Sequence, residues 1–128
     1  MKKTKKYRIL IVEDESAVCE ALEEKFVEEG FEILIAQNGV TGLKFALKES
    51  PDLILLDIVM PVMDGITMLE KLRKEKNGRK IPVIMLTNLS DSIMVEEARK
   101  KGVNDYLIKA EWTLVDLVKK VKSKLNLK

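Results

Sequence analysis

Residues 52–65 read DLILLDIVMPVMDG. Four apolar residues, Leu53 to Leu56, run without a break into an acid, Asp57. An uninterrupted apolar run of this length predicts a parallel strand covered on both faces, because a half-exposed strand would alternate. The loop after it carries Pro61 and the pair Asp64-Gly65, both turn signals. Asp57 therefore stands at the carboxyl end of a buried strand, which is where open α/β sheets bind their ligands.

Outward from this stretch the same unit recurs. Tyr7 to Val12 reads as a strand, and Ser16 to Glu29 as a helix with Val18, Leu22 and Phe26 on one stripe and Ala21 beside them. Gly30 stops that helix. Phe31 to Ala36 is a second strand, followed by Asn38-Gly39 and a helix from Val40 to Lys48 with Val40, Leu43 and Leu47 inward. Beyond Asp57, Ile66 to Glu75 is helical on Ile66, Leu69 and Leu72, and Pro82 to Leu86 is a fourth strand ending at Thr87. Asp91 or Ser92 is the expected cap of a helix that runs to Lys101 and stops at Gly102. Tyr106 to Ile108 is a fifth strand, and about Thr113 to Leu125 a last helix that buries Leu114, Leu117, Val118, Val121 and Leu125. Five strands alternate with five helices, which predicts an α/β fold: a doubly wound, five-stranded parallel sheet. Right-handed crossovers leave few topologies, of which the flavodoxin-like strand order 2-1-3-4-5 is a common one and is the expectation here. The expected division is a basic tail at 1–6, one domain at 7–125 and a short tail at 126–128.

Composition removes several function classes. The chain has 128 residues, 46% hydrophobic and 34% charged, with a net charge of +2, which describes one globular domain with no strong pull toward nucleic acid. There is no histidine. Ser-His-Asp and Cys-His triads, imidazole zinc sites and a phosphohistidine on this chain are all excluded. Cys19 is the single cysteine, so no intrachain disulfide forms, and the residue reads as a small apolar filler in a reducing compartment. No apolar run approaches the roughly 18 residues of a membrane span, and none suits a signal peptide. A cytoplasmic location, without membrane or nucleic-acid partner, is the expectation.

Chemistry-bearing residues fall at equivalent places. Glu13 and Asp14 follow the first strand, Asp57 the third, Thr87 the fourth and Lys109 the fifth. With strands one and three adjacent, Glu13, Asp14 and Asp57 converge, and three crowded carboxylates repel unless a cation joins them. Mg²⁺ suits the set, since it takes one or two carboxylates, keeps several waters and binds phosphate oxygens. Adding the Lys109 ammonium and the Thr87 hydroxyl gives the electrostatic partners of a transferring phosphoryl group, with the Asp57 carboxylate as nucleophile. Any one such acid after a strand is ordinarily a turn residue or cap; the register of all five carries the reading.

On these residues the sequence resembles the receiver domain of two-component response regulators, over about Tyr7 to Leu125. ILIVEDE resembles the family's acidic pair, at Glu13 and Asp14; DLILLDIVMPVMDG its acceptor strand and loop, with Asp57 as acceptor and Pro61, Asp64 and Gly65 shaping the loop; IPVIMLT the strand with its switch hydroxyl, Thr87; and GVNDYLIK the strand with switch aromatic Tyr106 and phosphate-binding Lys109. The resemblance implies that the backbone carbonyl of Val59 is a further Mg²⁺ ligand. It also implies that a sensor histidine kinase or phosphotransfer protein is the donor. Tyr106 would turn inward as Thr87 moves, and a downstream target would read the face made by the fourth helix, fifth strand and fifth helix. Three departures stand out. Glu13 replaces a usual Asp, Asn88 a usual small residue, and Ala110 the usual proline after Lys109. A non-proline cis bond costs about 2.5–4 kcal/mol, so a trans bond is expected there. The family's hydrolysis-tuning positions are Val59 and Leu89, both apolar, which implies a long-lived phosphoaspartate.

The expected function is thus a single-domain response regulator, monomeric or weakly dimeric, that catalyses only its own phosphorylation and slow dephosphorylation. No output domain is expected. A non-switching scaffold of the same fold, or a fragment of a longer regulator, are the alternatives. A phosphatase with an aspartyl-phosphate intermediate would want an acid where Val59 stands. A nucleotide-binding module would want a glycine-rich phosphate loop that the sequence lacks.

Overall fold

The computed structural model describes residues 6–87, 92–103, 105–108 and 113–127. Its strands are β1 (Arg8–Val12), β2 (Glu32–Ala36), β3 (Leu53–Asp57), β4 (Val83–Thr87) and β5 (Asp105–Ile108). Helices α1 (Ser16–Glu28), α2 (Gly39–Glu49), α3 (Gly65–Lys74), α4 (Ser92–Lys100) and α5 (Leu114–Lys124) alternate with them, and a 3₁₀ turn occupies Lys76–Gly78. All strands are parallel, in the order β2-β1-β3-β4-β5, as the alternation predicts. This is the flavodoxin-like arrangement.

Because side chains alternate across a strand, each central strand feeds two cores. Leu10, Val12, Ile54, Leu56, Val83 and Met85 meet Ala46 of α2, Met68, Leu69 and Leu72 of α3, and Ala98 of α4. Ile9, Ile11, Leu53, Leu55, Ile84 and Leu86 meet Leu22 and Phe26 of α1 and Leu117, Val118 and Val121 of α5. β3 is buried at all five positions, which explains why its sequence shows no polar alternation.

Local signals set the helix ends. Asn38 caps α2, its side chain accepting the Thr41 N–H at 2.9 Å, and Asp64 caps α3 through the Thr67 N–H at 2.8 Å. Thr113 and Asp116 exchange bonds as a capping box on α5. Gly30 (φ 95°) and Gly102 (φ 90°) end α1 and α4 in the left-handed region, which explains glycine at both stops. Ser92 is the first residue of α4 rather than its cap, and Asp91 lies outside the described residues.

Two helix faces differ from the periodicity. On α1 the inward side chain is Cys19, while Ala21 is exposed. On α2 the fully buried positions are Gly39, Gly42 and Ala46; Leu43 and Leu47 are partly buried and Val40 is 44% exposed. The reason is distance. A Cβ on Gly42 would sit 2.9 Å from Val12, so α2 lies too close to the sheet for a branched side chain. Met68, absent from the expected α3 stripe, is fully buried.

Candidate functional site

The carboxyl ends of β1 and β3 are neighbours because their strands pair from Ile9–Leu53 to Val12–Leu56. Glu13 continues β1 for one more rung, its N–H donating to the Ala36 carbonyl at 3.0 Å. That bond holds the Glu13 side chain at the sheet edge, fully buried, where its Oε2 accepts the Glu15 N–H at 3.1 Å. Asp57, the last residue of β3, is 4% exposed, while Asp14 is open to solvent. One carboxylate oxygen from each of Glu13, Asp14 and Asp57 lies within 4.8 Å of the others. At an effective dielectric of about 20, each ionised pair at that separation repels by roughly 3 kcal/mol. A hard divalent cation relieves such crowding, and an all-oxygen set of this kind is what Mg²⁺ takes.

The loop after Asp57 is fixed by backbone contacts. The Gly65 N–H donates to the Ile58 carbonyl at 2.7 Å. A Cβ on Gly65 would collide with the Asp57 carbonyl oxygen, so only glycine lets α3 start this near β3. The Gly39 N–H donates to the Met63 carbonyl at 3.2 Å, and a Cβ there would lie 2.5 Å from the same oxygen. Between these anchors, Pro61, Val62 and Met63 form a three-residue turn, the Met63 N–H bonding the Pro61 carbonyl at 2.7 Å with Val62 at φ 70°. Val59 and Val62 project outward, 59% and 79% exposed.

The model of the response regulator receiver domain matches residues 9–122. This chain belongs to the response regulator receiver domain family.

Individual similarities agree. A receiver domain protein of the CheY type from Methanospirillum hungatei superposes with a TM-score of 0.88 at 31% identity, over 95% of both chains. The receiver domain of the sensor histidine kinase PA1611 from Pseudomonas aeruginosa, described with a magnesium ion coordinated in its active-site cleft, gives 0.84 at 28% identity, over 93% of this chain and 97% of that one. Response regulator PleD of Caulobacter vibrioides is 39% identical over 102 residues, 80% of this chain and 22% of that protein. The chain thus spans about a fifth of that relative's length. Receiver domains of this type are phosphoacceptor signalling modules of two-component systems, and not classical enzymes.

The remaining expected residues of this receiver domain are placed as follows. Thr87 ends β4, beside Ile108 of β5, which puts its backbone at the same sheet edge. Tyr106 pairs with Met85 and is 43% exposed, so its ring lies at the surface. Lys109 follows Ile108 directly, and Lys109, Ala110, Asn88 and Leu89 lie outside the described residues. Two contacts had no signal in hydrophobic periodicity: the Gly39 backbone bond, and Cys19. The Cys19 thiol donates to the Glu13 carbonyl at 3.2 Å. Burial first, then the charges of Glu13, Asp14 and Glu23, push that thiol up to about 11, so it stays protonated and unreactive. No helix among the described residues is long and apolar enough to cross a membrane.

Proposed function

We propose that this receiver domain accepts a phosphoryl group on Asp57 from the phosphohistidine of a sensor kinase or phosphotransfer protein. The observation that supports it most is the convergence of Glu13, Asp14 and Asp57 at one sheet edge. In this reading an Asp57 Oδ attacks phosphorus in line. The new P–O bond forms as the P–N bond breaks, and the electron pair leaves with the partner's imidazole. Glu13, Asp14, Asp57 and the Val59 carbonyl would hold Mg²⁺, which when bound neutralises carboxylate charge and binds phosphoryl oxygens. Glu13 keeps its carboxylate turned to the edge through the Glu15 amide. Thr87 and Lys109 take phosphoryl oxygens, and the shift of Thr87 lets Tyr106 turn inward. The surface of α4, β5 and α5 then changes for a protein target.

The test is intact mass after incubation with acetyl phosphate and Mg²⁺. The parent is expected to gain one phosphoryl group and Asp57→Ala none. A parent that stays unmodified, or an Asp57→Ala variant that gains the same mass, overturns the reading.

A further inference from the structure

The opposite end of the sheet carries a second constellation. A hollow of about 440 Å³ opens where α3 ends and β4 begins, lined by Arg73, Arg79, Lys80, Lys101, Lys124 and an apolar floor of Ile81 to Val83. Its charge is unevenly answered. Lys101 reaches Glu70 at 3.2 Å and Lys124 reaches Asp105. Among the described residues, Arg73, Arg79 and Lys80 have no carboxylate within ion-pair distance. Arg73 is half-buried, donates to the Gly78 carbonyl at 2.7 Å, and loses basicity through desolvation.

Arg79 and Lys80 are exposed and Arg73 is half-buried, so three cations without a carboxylate partner among the described residues stand around one concavity and are free to meet an anion from solvent. Two of them are guanidinium groups, whose planar forks match phosphoryl oxygens. Size does not distinguish this hollow from others on the surface; what distinguishes it is five cations on its lining and no carboxylate. We propose that this hollow binds a small polyanion carrying two or more linked phosphoryl groups, either a free polyphosphate or the phosphate chain of a nucleotide. The site lies at the amino end of β4, about 15 Å of strand away from the acceptor edge, and is separate from phosphoacceptance.

Calorimetric titration with tripolyphosphate tests it, in EDTA and at 150 mM salt so that neither metal nor diffuse attraction contributes. One saturable site is expected, weakened roughly tenfold in the Arg79→Gln/Lys80→Gln variant, as losing two solvent-exposed ion pairs implies. Lys44→Gln/Lys48→Gln, which removes the same charge from the exposed side of α2, is expected to bind like the parent. A parallel titration with ATP separates the sources: tighter binding than tripolyphosphate assigns a nucleotide resting on Ile81 to Val83, and equal binding assigns the phosphate chain alone. No saturable binding, equal weakening in both double variants, or preference for a short DNA duplex at equal phosphate concentration would each overturn the proposal.

Discussion

The two faces of the sheet are equally dry but are filled in different ways. Against α1 and α5 the packing is bulky: Leu22, Phe26, Leu117, Val118 and Val121, with Phe26 meeting Phe31 edge-on at 5.6 Å. Against α2 and α3 the bulky Met68, Leu69 and Leu72 are joined by close-approach positions at Gly39, Gly42, Ala46 and Gly65. Bulk resists unfolding through area removed from water, about 25 cal/mol per Å². Small residues contribute little area and instead set how near a helix comes. The α2–α3 face holds the loop after Asp57, so nearness there sets the shape of the edge around Asp57, which the α1–α5 face touches only through the Cys19–Glu13 contact.

That division can be broken from either side. Phe26→Ala has the largest expected effect, roughly 3–5 kcal/mol lost in urea unfolding, since a buried ring is replaced by a cavity. The protein that remains folded should still accept phosphoryl groups from acetyl phosphate at the parent rate. Gly65→Ala should cost less stability, about 1–3 kcal/mol of overpacking. Its phosphorylation, followed by mass, should be clearly slower because the added carbon displaces the Asp57 backbone. If Phe26→Ala slowed phosphorylation as much as Gly65→Ala, the division between the faces would be wrong.

Smaller effects sharpen it further. Val59, open to solvent beside the acceptor, offers no hydrogen bond to an attacking water. In Val59→Asn, and in Leu89→Glu, phosphoaspartate decay after donor removal should quicken about fivefold, the value of one hydrogen bond of about 1 kcal/mol. Unchanged decay in both variants would end the explanation of a long-lived phosphoaspartate. The smallest effect belongs to the other face, where Lys122 of α5 bonds Glu29 at 2.9 Å. The Lys122 hydrogen bond and charge hold the Glu29 carboxyl below its ordinary value of 4.5. A lowered folded-state pKa adds stability above the unfolded value and loses it as pH falls through the folded one. Thermal melts of the parent and Glu29→Gln should therefore differ slightly near pH 7 and converge as the pH falls below about 4.5. A gap that widened in acid would contradict the assigned cause.

Much of this was legible from the chain itself. The parallel, doubly wound sheet followed from alternation and from Leu53–Leu56, its strand order came with the flavodoxin-like fold type, and the acidic trio followed from acids placed after strands. What escaped was governed by closeness. Periodicity scores apolar side chains, so it chose Val40 for the inside of α2 and passed over Gly39 and Gly42, whose lack of a side chain is the reason they face inward. It chose Ala21 and passed over Cys19, although Cys19 stands three before Leu22 and seven before Phe26, on the same face of the helix. The basic hollow was invisible for another reason: its cations come from α3, the segment before β4, the turn after α4, and α5, and only folding gathers them.

The turn at Val62 has a mechanical consequence. A β-branched residue in the left-handed region stores on the order of 1–3 kcal/mol. The anchor at one end of this turn is the Gly39–Met63 bond, the one backbone bond between the loop and α2 among the described residues. Losing that bond would let Val62 relax, so the loop after Asp57 keeps its shape as a wound spring does, by restraint rather than at rest.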